Sequence, residues 1–155
     1  MVFNDGLRAR QHAHVHGLPY PSDAELSAAL TEAKKTPERA WLSEVSAVVL
    51  QQALADLNTA YRNFFDSLSG KRKGRKPALP RFRSHKDNRQ AIRLTANARF
   101  RVLPNGRLRL PKIGDVKACW SRRLPSAPSS VTVIRTRPGG TSPHSWCRHR
   151  TNRCR

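Results

Sequence analysis

Two hydrophobic periods divide the chain. Between about Ser46 and Leu68, the residues Leu50, Leu54, Leu57, Tyr61, Phe64 and Leu68 recur at spacings of 4, 3, 4, 3 and 4, with Ala53, Ala60 and Phe65 beside them. That stripe predicts a helix buried along one side. The spacing also suits a coiled-coil dimer, but a seam of three heptads flanked by other helices is more often intramolecular core. Gly70 supplies a stop. Upstream, residues 3–16 predict a first helix with Phe3, Leu7 and Val15 on one side, weakened by Gly6. Pro19 and Pro21 then break the chain. Ser22 with Glu25 three residues on is a capping-box signature for a second helix, carrying Leu26, Ala29 and Leu30 and closed by Lys34 and Lys35. Thr36-Pro37-Glu38 is a fresh helix start, after which Ala40, Trp41 and Leu42 would bury one side.

Beyond residue 90 the period changes to two. Arg99-Phe100-Arg101-Val102-Leu103, Pro104-Asn105-Gly106 and Arg107-Leu108-Arg109-Leu110 together form a hairpin signature. Alternation places Phe100, Val102, Leu108 and Leu110 toward a core and Arg99, Arg101, Arg107 and Arg109 on the outer face. Ala91–Leu94, Val116–Trp120 and Ser130–Arg135 predict further short strands, with a Pro-rich turn at Pro125 and Pro128. The expected architecture is α+β: an N-terminal bundle of about four helices, then a small, partial antiparallel β-barrel. The expected organisation is a helical region over 1–70, a basic link over 71–90, the partial barrel over 91–137 and an irregular tail over 138–155.

Charge sharpens this division. The 155 residues include 30 Lys and Arg against 10 Asp and Glu, a net charge of +20. Residues 1–70 hold six basic and eight acidic side chains, whereas 71–155 hold 24 basic ones against Asp87 and Asp115 alone. One-signed density of that order repels itself without counterions and points to a polyanion. It is densest from Lys71 to Arg89, with nine Lys and Arg and one Asp. A solvated linker explains the Gly and Pro there; phosphate contact also explains the charge, because each neutralised phosphate releases condensed counterions. The expected phosphate contacts are Lys71, Arg72, Lys73, Arg75, Lys76, Arg81 and Arg83. Arg99, Arg101, Arg107 and Arg109 are secondary, since guanidinium groups suit bidentate phosphate contact but charges on edge strands also serve as protection. Phe82, Phe100 and Trp120 are candidate base-stacking rings, although as the large aromatics of this stretch they are first needed as core.

Catalytic and metal signatures are missing. There is no P-loop, GxSxG or HExxH, and two-metal nuclease chemistry needs clustered carboxylates that the cationic half lacks. His144, Cys147, His149 and Cys154 follow no common zinc spacing. His12, His14 and His16 alternate in a way that suits a polar helix end better than a metal face. Neither metal nor cofactor is expected. Three Cys make no disulfide framework, no apolar run is long enough to span a membrane, and the first residues lack a secretory h-region. A cytoplasmic setting is the default expectation.

Several blocks together carry a resemblance. Trp41-Leu42-Ser43-Glu44-Val45, Val49-Leu50-Gln51-Gln52-Ala53-Leu54 with Asp56-Leu57, Ala60-Tyr61 and Asn63-Phe64-Phe65, and Pro80-Arg81-Phe82-Arg83-Ser84 come first. Leu108-Arg109-Leu110-Pro111-Lys112-Ile113-Gly114, Ser121-Arg122-Arg123-Leu124-Pro125 and Ser130-Val131-Thr132-Val133 follow. In this order, over roughly residues 2–137, they resemble the OrfB/TnpB-type transposase-associated proteins of bacterial insertion sequences. The resemblance implies a helical recognition region plus an oligonucleotide-binding-like barrel called the wedge, which embrace a guide RNA and duplex DNA. It implies RNA-guided DNA cleavage by a following RuvC-like nuclease domain with three acidic metal ligands and an inserted zinc ribbon.

The chain departs from that pattern at both ends. Met1 falls almost directly on the segment Val2-Phe3-Asn4-Asp5, where the family has a preceding strand and helix. After Pro138-Gly139-Gly140 comes a polar stretch, Thr141 to Arg155, in place of an apolar strand and the first catalytic Asp. Codons for Thr141 to Trp146, read one base over, spell such a strand, so the expectation is a frameshifted remnant. The expected function is therefore nucleic-acid binding by a transposase-family fragment without catalysis, its partners guide-type RNA or duplex DNA and no membrane. The alternatives are a stand-alone RNA- or DNA-binding regulator, or a helix-mediated oligomer.

Overall fold

The structure is a computed structural model that describes residues 1–84, 86, 89–122, 124 and 126–136. It is α+β: helices first, then small antiparallel sheets that do not close among the described residues. The chain divides into two compact units, one of residues 1–43 and 50–84, the other of residues 44–49 and 85 onward.

In the first unit, α1 (Val2–Val15), α2 (Asp23–Ala33) and the body of α3 (Ala47–Leu68) enclose Phe3, Leu7, Leu26, Leu30, Leu50, Leu54, Leu57 and Tyr61. Leu7 and Leu57 are fully sealed from solvent, a burial that contributes about 1.5–3 kcal/mol for each such side chain. Gly6 is where the helices meet: a Cβ there would lie 2.9 Å from Leu57 Cδ2, 3.4 Å from Leu54 Cδ2 and 3.6 Å from Leu26 Cδ1. The residue that weakens α1 by propensity is thus the one whose missing side chain lets Leu54 and Leu57 approach. Val15, expected on the buried side, is 77% exposed in the last turn. His12, His14 and His16 form the polar helix end, with the rings of His12 and His16 stacked 4.1 Å apart.

The capping box of α2 is complete. Glu25 N–H donates to Ser22 Oγ, and the Ser22 backbone N–H donates to Glu25 Oε2. Those bonds to Ser22, the backbone one foremost, hold the Glu25 carboxyl below its ordinary value. The helix stops at Ala33, leaving Lys34 as the cap and Lys35 bonded to Glu32 at 2.8 Å. Pro37–Ser43 forms a 3-10 helix in place of the expected α-helix, and only Leu42 of its apolar trio is buried. With three residues per turn, Ala40 and Trp41 are carried off the buried side. In α3 the stripe is buried through Tyr61, but Leu68 at its end is exposed. Gly70 ends the run with φ +74.

One charged side chain lies inside this unit. Arg10 is 3% exposed; its Nη2 donates to Asp23 Oδ1 and Asn58 Oδ1, and its guanidinium lies over the rings of Tyr20 and Tyr61 at 4.7 and 5.2 Å. Burial raises the pKa of both tyrosines, and the Arg10 charge partly offsets it.

In the second unit β1 (Arg89–Thr95) pairs antiparallel with β5 (Ser130–Thr136), placing Leu94 opposite Val131 and Ile92 opposite Val133. A separate meander joins β2 (Arg101–Val102), β3 (Leu108–Leu110) and β4 (Gly114–Val116). Leu94, Ala98, Leu108, Leu110 and Val131 are the core, and Phe100, Val48 and Val49 pack against it. The expected hairpin forms with a shorter first strand. Ala96–Ala98 is a 3-10 turn and Arg99 its left-handed cap (φ 57), so the strand begins only at Arg101, and Val102 is 39% exposed. The expected strand over Val116–Trp120 lies earlier, at Gly114–Val116. Trp120 instead donates its Nε1–H to the Gly106 carbonyl at 2.7 Å, fixing the hairpin turn from the side. Asp87, the expected tail and its His144, Cys147, His149 and Cys154 lie outside the described residues.

Candidate nucleic-acid interface

The segment after α3 starts and ends on fixed points. At its start Arg72 N–H donates to the Asp66 carbonyl at 3.0 Å. At its end the Asn4 side chain brackets one residue's backbone: Arg83 N–H donates to Asn4 Oδ1 at 2.8 Å, and Asn4 Nδ2 donates to the Arg83 carbonyl at 2.9 Å. The Arg83 guanidinium stacks 3.8 Å from the centroid of the buried Phe3 ring and reaches Asp56 at 3.4 Å. Between these points the backbone runs without helix or strand, helped by Gly74 at φ +102.

Availability separates the candidate cations. Lys71, Arg72, Lys73, Arg75, Lys76 and Arg81 are exposed, and none has an acidic partner among the described residues. Arg83 differs: it is half exposed but engaged with Phe3 and Asp56. On the meander Arg101 stands directly across from Arg109, and Arg109 directly across from Asp115. Arg109 donates from Nε to Asp115 Oδ1 at 2.6 Å and from Nη2 to Oδ2 at 2.9 Å. The hydrogen bonds from Arg109, more than the charges of Arg109 and Arg107, hold the Asp115 carboxyl below its usual range and raise Arg109 in turn. Arg107 precedes β3 and is exposed, and Arg99 projects from its left-handed cap outside the strand.

The same geometry accounts for many of the carboxylates. Asp5 bonds Arg39 at 2.8 Å, Asp23 bonds Arg10, Asp56 bonds Arg83 and Asp115 bonds Arg109. Among the described residues no three His, Cys, Asp or Glu side chains come together to hold a metal ion. No helix of the described chain is long and apolar enough to cross a membrane.

A curated protein of Streptomyces pristinaespiralis, named "Putative RNA-guided DNA endonuclease", is 42% identical over 142 residues, covering 90% of this chain and 33% of that protein. A protein of Escherichia coli (strain K12) with the same description, InsQ, is 32% identical over 132 residues, or 85% of this chain and 30% of its own length. The chain is related to the OrfB/TnpB-type proteins. It spans about a third of the length of these curated relatives. No protein-family model matches it.

Along the sequence the cations of segment 71–84 are visible, but what holds Arg83 in place is not. Asn4, Phe3 and Asp56 gave no local signal, because Asn4 and Arg83 are 79 positions apart. Arg10 was equally illegible: as one of two basic residues in a predicted helix, two positions from Arg8, it carries no mark of burial. The Arg109–Asp115 pair was accessible in principle, since opposite charges on adjacent short strands meet once the register is known.

Proposed function

We propose that this chain is a nucleic-acid-binding portion of an RNA-guided-endonuclease-type transposon protein. It grips the sugar-phosphate backbone of guide-type RNA or duplex DNA through segment 71–84, with Arg99, Arg101 and Arg107 as a second contact surface. The observation that carries this reading is the set of six exposed, acid-free cations on a segment tied at both ends. Free cations neutralise phosphates and release counterions; cations already bonded to carboxylates must first give up that bond. The relatives' shared description as RNA-guided DNA endonucleases supports nucleic acid over other polyanions.

The test is binding of labelled structured RNA and of duplex DNA by the full chain as salt rises. Six phosphate contacts predict a fall of about a thousandfold between about 50 and 200 mM salt. Affinity that stays flat across that range overturns the proposal.

The chain by itself performs no cleavage in this reading. Support comes from the carboxylates of Asp5, Asp23, Asp56 and Asp115, which are bonded to arginines and stand apart from one another. Incubation with RNA, plasmid DNA and magnesium is expected to leave the plasmid intact. Cutting that disappears on changing one carboxylate would refute this.

A further inference from the structure

The sequence leaves Phe82 between base stacking and a place in the core, and the structure leaves its ring half in water. Its side chain is 50% exposed and belongs to neither apolar cluster of the described residues, whereas Phe100 packs on the second of these and Trp120 is bonded to the Gly106 carbonyl. A phenyl ring left half in water beside Arg81, which has no acidic partner among the described residues, needs a reason, and the adjoining residue supplies one. The backbone of Arg83 is gripped on both its N–H and its C=O by Asn4, and the Arg83 side chain is stacked on buried Phe3. The backbone one step from Phe82 is therefore fixed, and so the exposed ring can meet a ligand with little ordering cost left to bear.

An exposed ring between cations offers a π-face to a base and a positive charge to the neighbouring phosphate, the pairing found where proteins hold single strands. Bases inside a duplex keep their faces covered by their neighbours, so the ligand must present an unpaired nucleotide. We propose that Phe82 is a stacking platform for one unpaired base of single-stranded RNA or DNA, with Arg81 on the adjacent phosphate and Asn4 as the positioning residue. The proposal rests on reading segment 71–84 as a phosphate-binding element.

Three probes separate the two ideas in the full chain: a mixed-sequence RNA of about 12 nucleotides, within the site size of such grooves, its abasic counterpart, and inorganic polyphosphate. Phe82→Ala is expected to weaken RNA binding about tenfold while leaving abasic and polyphosphate binding unchanged. Phe82→Trp should keep the preference for RNA over its abasic twin, and Phe82→Leu, apolar but without a π-face, should lose it as Ala does. The salt slope stays the same in all three because no charge is removed. Asn4→Ala should reduce the same RNA-to-abasic preference by less than Phe82→Ala does, and adding it to Phe82→Ala should reduce that preference no further.

Equal RNA affinity for wild type and Phe82→Ala, in a chain whose binding still falls when Lys71–Lys76 are neutralised, overturns the stacking site and leaves the phosphate reading standing. Equal weakening on all three probes also overturns it, since the ring would then be a structural support. A wild-type chain that binds none of the probes removes both.

Discussion

Two arginine-bearing regions, the segment 71–84 and the meander β2–β3–β4, are both cation-rich along the chain and quite different as surfaces. In the segment, six cations face solvent with no acid in reach among the described residues, and the seventh, Arg83, helps tie the segment down. In the meander, register brings Asp115 directly opposite Arg109, and the bidentate pair uses that guanidinium within the fold. Charge density and charge availability are thus separate quantities. The first is additive along the chain, and the second depends on which carboxylate the backbone delivers to each cation.

The largest effect should come from removing the free set. Changing Lys71, Arg72, Lys73, Arg75, Lys76 and Arg81 to Gln is expected to cost about a thousandfold in RNA affinity at low salt and to flatten the salt dependence. The same change at Arg99, Arg101, Arg107 and Arg109 should cost about tenfold or less, because Arg109 is already engaged. Equal losses from the two sets, measured by anisotropy titration, would erase the contrast.

Next in size is a change that disturbs the helices carrying the segment and spares the meander. Gly6→Val adds side-chain atoms where even a Cβ would lie 2.9 Å from Leu57 Cδ2, and overpacking of this kind costs about 1–3 kcal/mol. Thermal unfolding followed at the helical circular-dichroism band should shift down. The indole N–H resonance of Trp120, bonded to Gly106, should not move at temperatures below that transition.

A smaller change should convert one region toward the other. Asp115→Asn releases Arg109 and is expected to raise RNA affinity at low salt a few-fold, steepening the salt slope by about one contact. An unchanged slope would mean that Arg109 stays out of reach of phosphate even when free.

The smallest effect concerns pH. Asp115 has a depressed folded-state pKa, so the stabilisation its pair with Arg109 gives is fully present above the unfolded value of about 3.9. It is lost as pH falls through the lower folded value. Carboxyl chemical shifts should show Asp115 titrating below the ordinary Asp range, and Arg109→Gln should return it to that range.

Much of this was legible along the chain. The stripe from Leu50 to Tyr61 and the Ser22–Glu25 cap are local facts, since side chains three and four positions apart share a helix face whatever lies elsewhere. The turn at Asn105-Gly106 is equally local, Gly106 taking φ +76 as such turns require. The 3-10 helix at Pro37–Ser43 and the shortened strand before Arg101 were less legible. Both depend on how few residues a short element can turn toward a core, which no periodicity over three or four positions resolves.

By itself the sequence determined the order of helices and strands, the break at residue 70 and the crowding of positive charge after it, because propensity, period and charge belong to neighbours along the chain. Only the tertiary structure decided that Asn4 fastens the backbone of Arg83, that Arg10 is enclosed by Asp23, Asn58 and two tyrosines, and that Phe82 is left outside both apolar clusters of the described residues. Each of these is a meeting of residues far apart in number, and burial and hydrogen-bond partnership are set by distance in space.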